Sequence, residues 1–173
     1  MKQIKRFAKL GKMRIFALVA TLFVAFACFS QERYIVVDKP NMQLYVMENG
    51  QKIFTAPIAC AKNYGPKQRK GDNRTPEGSF TISNIQPSKG WRFMGRGPAG
   101  VYGPWFLRLN TPGLGNMIGI HGTSSPKSIG KRVSHGCIRL SNENITKLKA
   151  LAFKGMRVEI LPDKVSNSSK KKK

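Results

Sequence analysis

The chain has 173 residues, 40% of them hydrophobic, which is enough for one domain with a real core and too few for a second enzymatic domain. That apolar share excludes a disordered protein. The formal net charge of +23, from 31 basic and 8 acidic side chains, predicts attraction to polyanions, whether nucleic acid or the anionic polymers and headgroups of a cell envelope.

Residues 1–30 read as a leader. Lys2, Lys5, Arg6, Lys9, Lys12 and Arg14 precede an apolar run from Ile15 to Phe29, broken only by Thr21. The run is shorter than the roughly 20 residues that span a bilayer. A basic segment, an apolar segment and a small-residue site make a signal for export. Ala25-Phe26-Ala27 fits A-x-A cleavage, and Ala27-Cys28 fits the end of a lipoprotein leader. An uncleaved anchor is the third reading. Export to a periplasm or cell envelope argues against nucleic acid as the partner. The remainder keeps 25 basic against 8 acidic side chains, a net +17.

From Tyr34 the pattern is mainly β. Tyr34–Val37, Met42–Met47 and Gln51–Ala59 read as strands, and Asn49-Gly50 between the last two is a hairpin turn whose residues both need positive φ. Phe80 and Ile82 alternate with Thr81 and Ser83 as in a half-buried strand. The Gly- and Pro-rich segment 86–104 reads as loop. Phe106–Leu109, Met117–Ile120 and Met156–Leu161 are further strands. One helix is expected: Ser141 or Asn142 caps it, Ile145, Leu148, Leu151 and Ala152 recur at helical spacing, and Gly155 stops it. Residues 164–173, with four terminal lysines, read as a disordered basic tail. This predicts a single domain over 31–163, mainly β and sandwich- or barrel-like, with one helix in its C-terminal half.

The two histidines, His121 and His135, both lie within sixteen residues of Cys137. A thiol attacks as its thiolate, and an imidazole can take its proton, so this pair suffices for acyl transfer. Gly136 lets a substrate carbonyl approach the backbone, where N–H groups can hold an oxyanion. Three other readings stand beside this one. Cys137 can be a core residue, it can bridge to Cys60, or it can join His121 and His135 in a zinc site, although H-x13-H-x-C matches no common finger. The cysteines Cys28, Cys60 and Cys137 are too few, and odd in number, for a disulfide scaffold. Cys60 reads as a core cysteine.

Ser134-His135-Gly136-Cys137-Ile138-Arg139-Leu140, with His121-Gly122 upstream, resembles the signature of the L,D-transpeptidase catalytic domain. Thr75-Pro76-Glu77-Gly78-Ser79-Phe80-Thr81-Ile82 resembles that family's TPxGxFxI strand, and the likeness runs over roughly residues 33–161. The resemblance implies a peptidoglycan transpeptidase without metal or organic cofactor, acting as a monomer on stem peptides. Cys137 would be the nucleophile, His121 the general base, and the Gly122 carbonyl the group that orients its ring. His135 would support the site, and N–H groups around Gly136 and Cys137 would form the oxyanion hole. Arg139 would neutralise a stem carboxylate, with a structural ion pair as the other reading. Ser134, Trp105 and Tyr102 would contact substrate, with core packing as the other reading of Trp105 and Tyr102. A wall hydrolase of the same fold, such as an L,D-carboxypeptidase, and a non-catalytic envelope-binding protein are the alternatives.

Overall fold

The computed structural model describes residues 32–115 and 117–163. The leader and the lysine-rich tail expected from the sequence lie outside the described residues.

Strands β1 (Arg33–Asp38), β2 (Gln43–Glu48) and β3 (Gln51–Pro57) form an antiparallel meander. The β2–β3 turn is the Asn49-Gly50 pair, at φ 50° and 80°, as that dipeptide requires. The short β4 (Cys60–Ala61) follows, then the long β5 (Gly78–Pro87). Between β5 and β8 (Trp105–Leu109), the segment expected to be loop carries a small hairpin, β6 (Arg92–Phe93) and β7 (Arg96–Ala99). Its turn is Met94-Gly95, again with both φ positive, at 50° and 75°. A Met in a turn of this kind is not a hairpin signal, which is why the sequence pattern hides it. Strand β9 (Gly119–His121) starts later than expected, and Met117 stays in the approach loop. A 3-10 turn at Pro126–Ser128, β10 (Arg132–Ser134) and β11 (Ile138–Arg139) complete the crossover.

Helix α1 (Asn142–Leu151) is capped by Ser141, whose hydroxyl accepts from the Asn144 N–H at 3.1 Å. It ends at Leu151, where Ala152 turns extended, four residues before the glycine expected to stop it. Gly155 (φ 89°) shapes the turn into β12 (Arg157–Ile160) instead. Ile145 and Leu148 are the helix's buried face, packed toward β8 and β9.

Eight strands make one curled, half-barrel sheet in the order β11-β9-β8-β5-β12-β1-β2-β3. The chain's last strand, β12, is central: it runs parallel to β1 and antiparallel to β5. Ribbons β4–β10 and β6–β7 stand apart from the sheet. The core is aliphatic, with Ile35, Val37, Leu44, Val46, Leu107, Ile120, Ile138 and Val158 fully buried. Removing that apolar surface from water is what drives the sheet to close over the helix. Cys60 lies in this core with its sulfur 3.8 Å from Met42 Sδ, and both it and Cys137 are free thiols.

Candidate active site

Strands β9 and β11 bring the signature residues together. They pair in parallel, with Ile138 opposite Ile120 and Arg139 opposite His121. Side chains alternate along a strand, so Ile120 and Ile138 point into the core while His121, Arg139 and the preceding Cys137 share the other face. The β11 edge is pinned on its far side by Ala59, whose N–H and C=O exchange bonds of 2.9 and 2.8 Å with Arg139. Cys137 therefore sits at the mouth of a backbone ladder held on both sides.

His121 is 3% exposed. Its Nδ1 lies 2.5 Å from the Gly122 carbonyl oxygen. A carbonyl only accepts, so Nδ1 carries the hydrogen and Nε2 keeps a lone pair, the form a general base requires. Rings fix the imidazole's plane: Phe106, its cross-strand partner, stacks on it at 5.4 Å and 7°, and Tyr102 meets it edge-on at 4.9 Å. Gly119 makes the stack possible, since a Cβ there would run into the Phe106 ring and come within 2.6 Å of the Leu107 carbonyl. Burial pushes the His121 pKa down to about 4, against the pull of the Gly122 hydrogen bond, and the Arg139 charge pushes it the same way as burial.

The half-buried Cys137 thiol donates to the Met117 carbonyl at 3.2 Å. Burial drives its pKa up to about 11; a backbone hydrogen bond from Gly119 and the charges of Arg139, Lys67 and Arg108 pull the other way. At rest the imidazole and the thiol are thus both neutral.

The other expected residues divide. Gly136 is buried at φ +146°, and a Cβ on it would lie 2.8 Å from Ile118 Cδ1 and 3.2 Å from the Arg74 carbonyl, so only glycine fits. Ser134 is buried and does not face the cleft: its hydroxyl accepts from the Gly136 N–H at 3.2 Å and donates to the Cys137 carbonyl at 2.6 Å. It shapes the turn that carries Cys137, and it engages the Gly136 N–H expected to be offered to an oxyanion. His135 is exposed and packs on Phe93 of the small hairpin, ring centroids 5.1 Å apart. Trp105 packs on the core, with Lys149 of α1 4.7 Å over its ring, while its neighbour Phe106 takes the face toward His121. Arg139 is half-buried on the reactive face, and its Nε has no hydrogen-bond partner among the described residues.

Tyr102 joins Trp91, Arg92, Met94, Gly95 and Met117 around an open cavity of about 380 Å³, between the small hairpin and the dyad. Asn142 was not foreseen in the site. Its Oδ1 accepts from the Thr123 N–H at 2.9 Å and occupies the space where a Cβ on Gly122 or Gly103 would go, so the first helical residue braces the loop that holds His121. Among the described residues no three His, Cys, Asp or Glu side chains are grouped to hold a metal ion, and no helix is long and apolar enough to cross a membrane.

A buried imidazole of fixed tautomer on one strand, with a free thiol just before the strand paired to it, is equipment for covalent acyl transfer. The comparisons with known proteins agree on where such equipment is found. The YkuD family, described as the L,D-transpeptidase catalytic domain, matches residues 32–160. The putative L,D-transpeptidase YkuD of Bacillus licheniformis is 35% identical over 128 residues, covering 74% of this chain and 65% of that protein. The putative L,D-transpeptidase YqjB of Bacillus subtilis is 30% identical over 134 residues, 75% of this chain and 72% of its own. Among solved structures, Bd1075 of Bdellovibrio bacteriovorus superposes with a TM-score of 0.58 at 28% identity, over 80% of this chain and 51% of that one. The catalytic domain of the Enterococcus faecium L,D-transpeptidase shares the fold, with a TM-score of 0.56 at 23% identity over 77% of this chain and 99% of that one. The chain thus spans about two thirds of the YkuD relative's length, and it belongs to the YkuD family of L,D-transpeptidase catalytic domains.

Proposed function

We propose that the protein is a peptidoglycan L,D-transpeptidase of the cell envelope, which remodels wall stem peptides through a thioester on Cys137. His121 Nε2 takes the thiol proton as the sulfur attacks the carbonyl of the third residue in a tetrapeptide stem. The carbonyl π electrons move onto oxygen, where N–H groups near Cys137 and the neighbouring cations receive the charge. Collapse of the adduct expels D-Ala, whose amine takes the proton from His121. An amine of a second stem then attacks the thioester, gives its proton to His121 and completes a 3→3 cross-link, and the thiol is restored. The observation that supports this reading is the bond of His121 Nδ1 to the Gly122 carbonyl, which leaves Nε2 with the lone pair a general base uses, on a strand paired with the one that follows Cys137.

The remaining assignments follow the same reading. Arg139 receives a carboxylate of the stem, Tyr102 lines the donor cleft, and His135 holds the hairpin side of the site. The protein is exported as a monomer, and its basic surface prolongs residence on an anionic wall. The test is purified protein incubated with a tetrapeptide muropeptide. Cross-linked dimers with release of D-Ala are expected. Tripeptide alone would make the enzyme an L,D-carboxypeptidase, and no turnover at all would contradict the reading.

A further inference from the structure

One buried cation near the nucleophile belongs to neither signature block. The Lys67 side chain is 2% exposed, although its neighbours Pro66, Gln68, Arg69 and Lys70 are all exposed. A loop lysine normally sends its ammonium to water, since burying the charge carries a desolvation cost that a surface ion pair avoids. Here the charge is turned inward and paired with Asp72 at 2.7 Å. That carboxylate also accepts the N–H groups of Gln68, Arg69 and Arg74, at 2.7, 3.2 and 3.1 Å. With those bonds and the lysine's, its pKa lies well below the usual carboxylate range despite burial. One carboxylate thus folds the whole loop 67–74 and fixes the lysine's head.

The loop closes on the nucleophile's own turn. A Cβ on Gly136 would lie 3.2 Å from the Arg74 carbonyl and 3.8 Å from Lys67 Nζ, so the two ends of the loop meet over that glycine. Among the described residues Asp72 is the ammonium's hydrogen-bond partner, which leaves two N–H bonds for charge that develops in the site. Lys67 is also one of three cations, from three separate elements, that favour the ionised sulfur: Arg139 on β11, Lys67 in this loop and Arg108 on β8. The Tyr102 phenol also feels the sulfur's charge and meets the His121 ring edge-on, and the exposed His135 stands two residues before Cys137.

We propose that Lys67 is a positioning residue for the nucleophile, an ammonium held by Asp72 beside the Gly136–Cys137 peptide that stabilises negative charge on the Cys137 sulfur and on the adduct oxygen. The assignment deepens the acyl-transfer reading and rests on it. Lys67 forms and breaks no covalent bond; the thiol proton still passes to His121. The Asp72 pairing keeps the cation from swinging to water while its charge is partly taken up by backbone amides.

Iodoacetamide alkylation against pH, with the adduct mapped to Cys137, reads the ionisation directly. K67M is expected to move the profile to higher pH and slow alkylation at neutral pH by roughly three- to tenfold. K67R, which keeps the charge, should restore most of the rate. D72N, which removes the counter-charge and keeps an oxygen for the backbone donors, should move the profile to lower pH. Opposite shifts for K67M and D72N separate electrostatics from loop collapse, which would move both alike. Coincident profiles for wild type and K67M, or shifts of the same sign for K67M and D72N, overturn the proposal. Should K67M fail to fold, D72N decides, and a profile unchanged or raised in that variant overturns it equally. Alkylation needs no wall peptide, so failure here is distinct from failure of the muropeptide assay.

Discussion

His121 and Cys137 both rest uncharged, and the main cause for each is its own burial. An imidazole with its pKa lowered to about 4 and a thiol raised to about 11 do not exchange a proton at rest. In the proposed mechanism ionisation waits for a substrate carbonyl to accept the electron pair, and a thiol kept protonated is protected from idle oxidation. The same burial makes a stability prediction. The lowered pKa of His121 means that the unfolded chain takes a proton first. Stability is fully present above about 6.5, falls as pH drops through the window toward about 4, and then levels as far as this group is concerned. Denaturant midpoints measured across that window should decline in the wild type and decline less in H121Q. The same H121Q variant should lose roughly two to four orders of magnitude in acyl transfer while staying folded. Gly136 makes a second test at this scale. G136A forces a side chain against Ile118 and the Arg74 carbonyl at a φ that disfavours one, so both stability and activity should fall, by about 1–3 kcal/mol in a denaturant titration.

At the scale of elements, the site depends on strand register more than on sequence proximity. His135 is two residues from Cys137, yet it is exposed against Phe93, whereas His121, sixteen residues away, is delivered by the β9–β11 pairing. The two signature blocks, the Asn49-Gly50 hairpin and the capped helix were all readable from residue types, because each rests on local chemistry. Trp105 and Phe106 were not. They are consecutive in one strand, and a shift of one residue in register exchanges which of them meets the imidazole. Asn142 and the Lys67–Asp72 pair were hidden for a related reason: each acts across a fold that joins distant segments, and neither carries a local pattern. The helix has its own prediction. S141A removes the hydroxyl that accepts from Asn144 and should cost about 1 kcal/mol, measured by urea unfolding. Because Asn142 next to it braces the His121 loop, N142A should lower kcat more than it lowers the unfolding midpoint.

For the whole molecule, charge and topology serve different ends. The central position of β12 means that the core is not complete until nearly the whole domain has emerged, since β12 bridges β1 and β5. Among the described residues every lysine and arginine except Lys39 and Lys67 is exposed or half-buried, so the excess positive charge lies mainly outside that core. A basic enzyme on a fixed anionic wall gains residence through long-range attraction, which salt screens. Retention on purified wall sacculi should therefore fall several-fold when salt is raised from roughly 0.05 to 0.5 M, whereas turnover of a soluble muropeptide should change far less. Equal retention at both salt levels would mean that contacts other than charge hold the protein to the wall.

The central claim is that Cys137, served by His121, carries the acyl group. Intact mass spectrometry of folded, reduced protein treated with a carbapenem, a mimic of the donor peptide, tests it in one step. The account predicts a single adduct that maps to Cys137, is absent from C137A and forms far more slowly in H121Q. A protein that stays unmodified, or an adduct on another residue that survives in C137A, would contradict it.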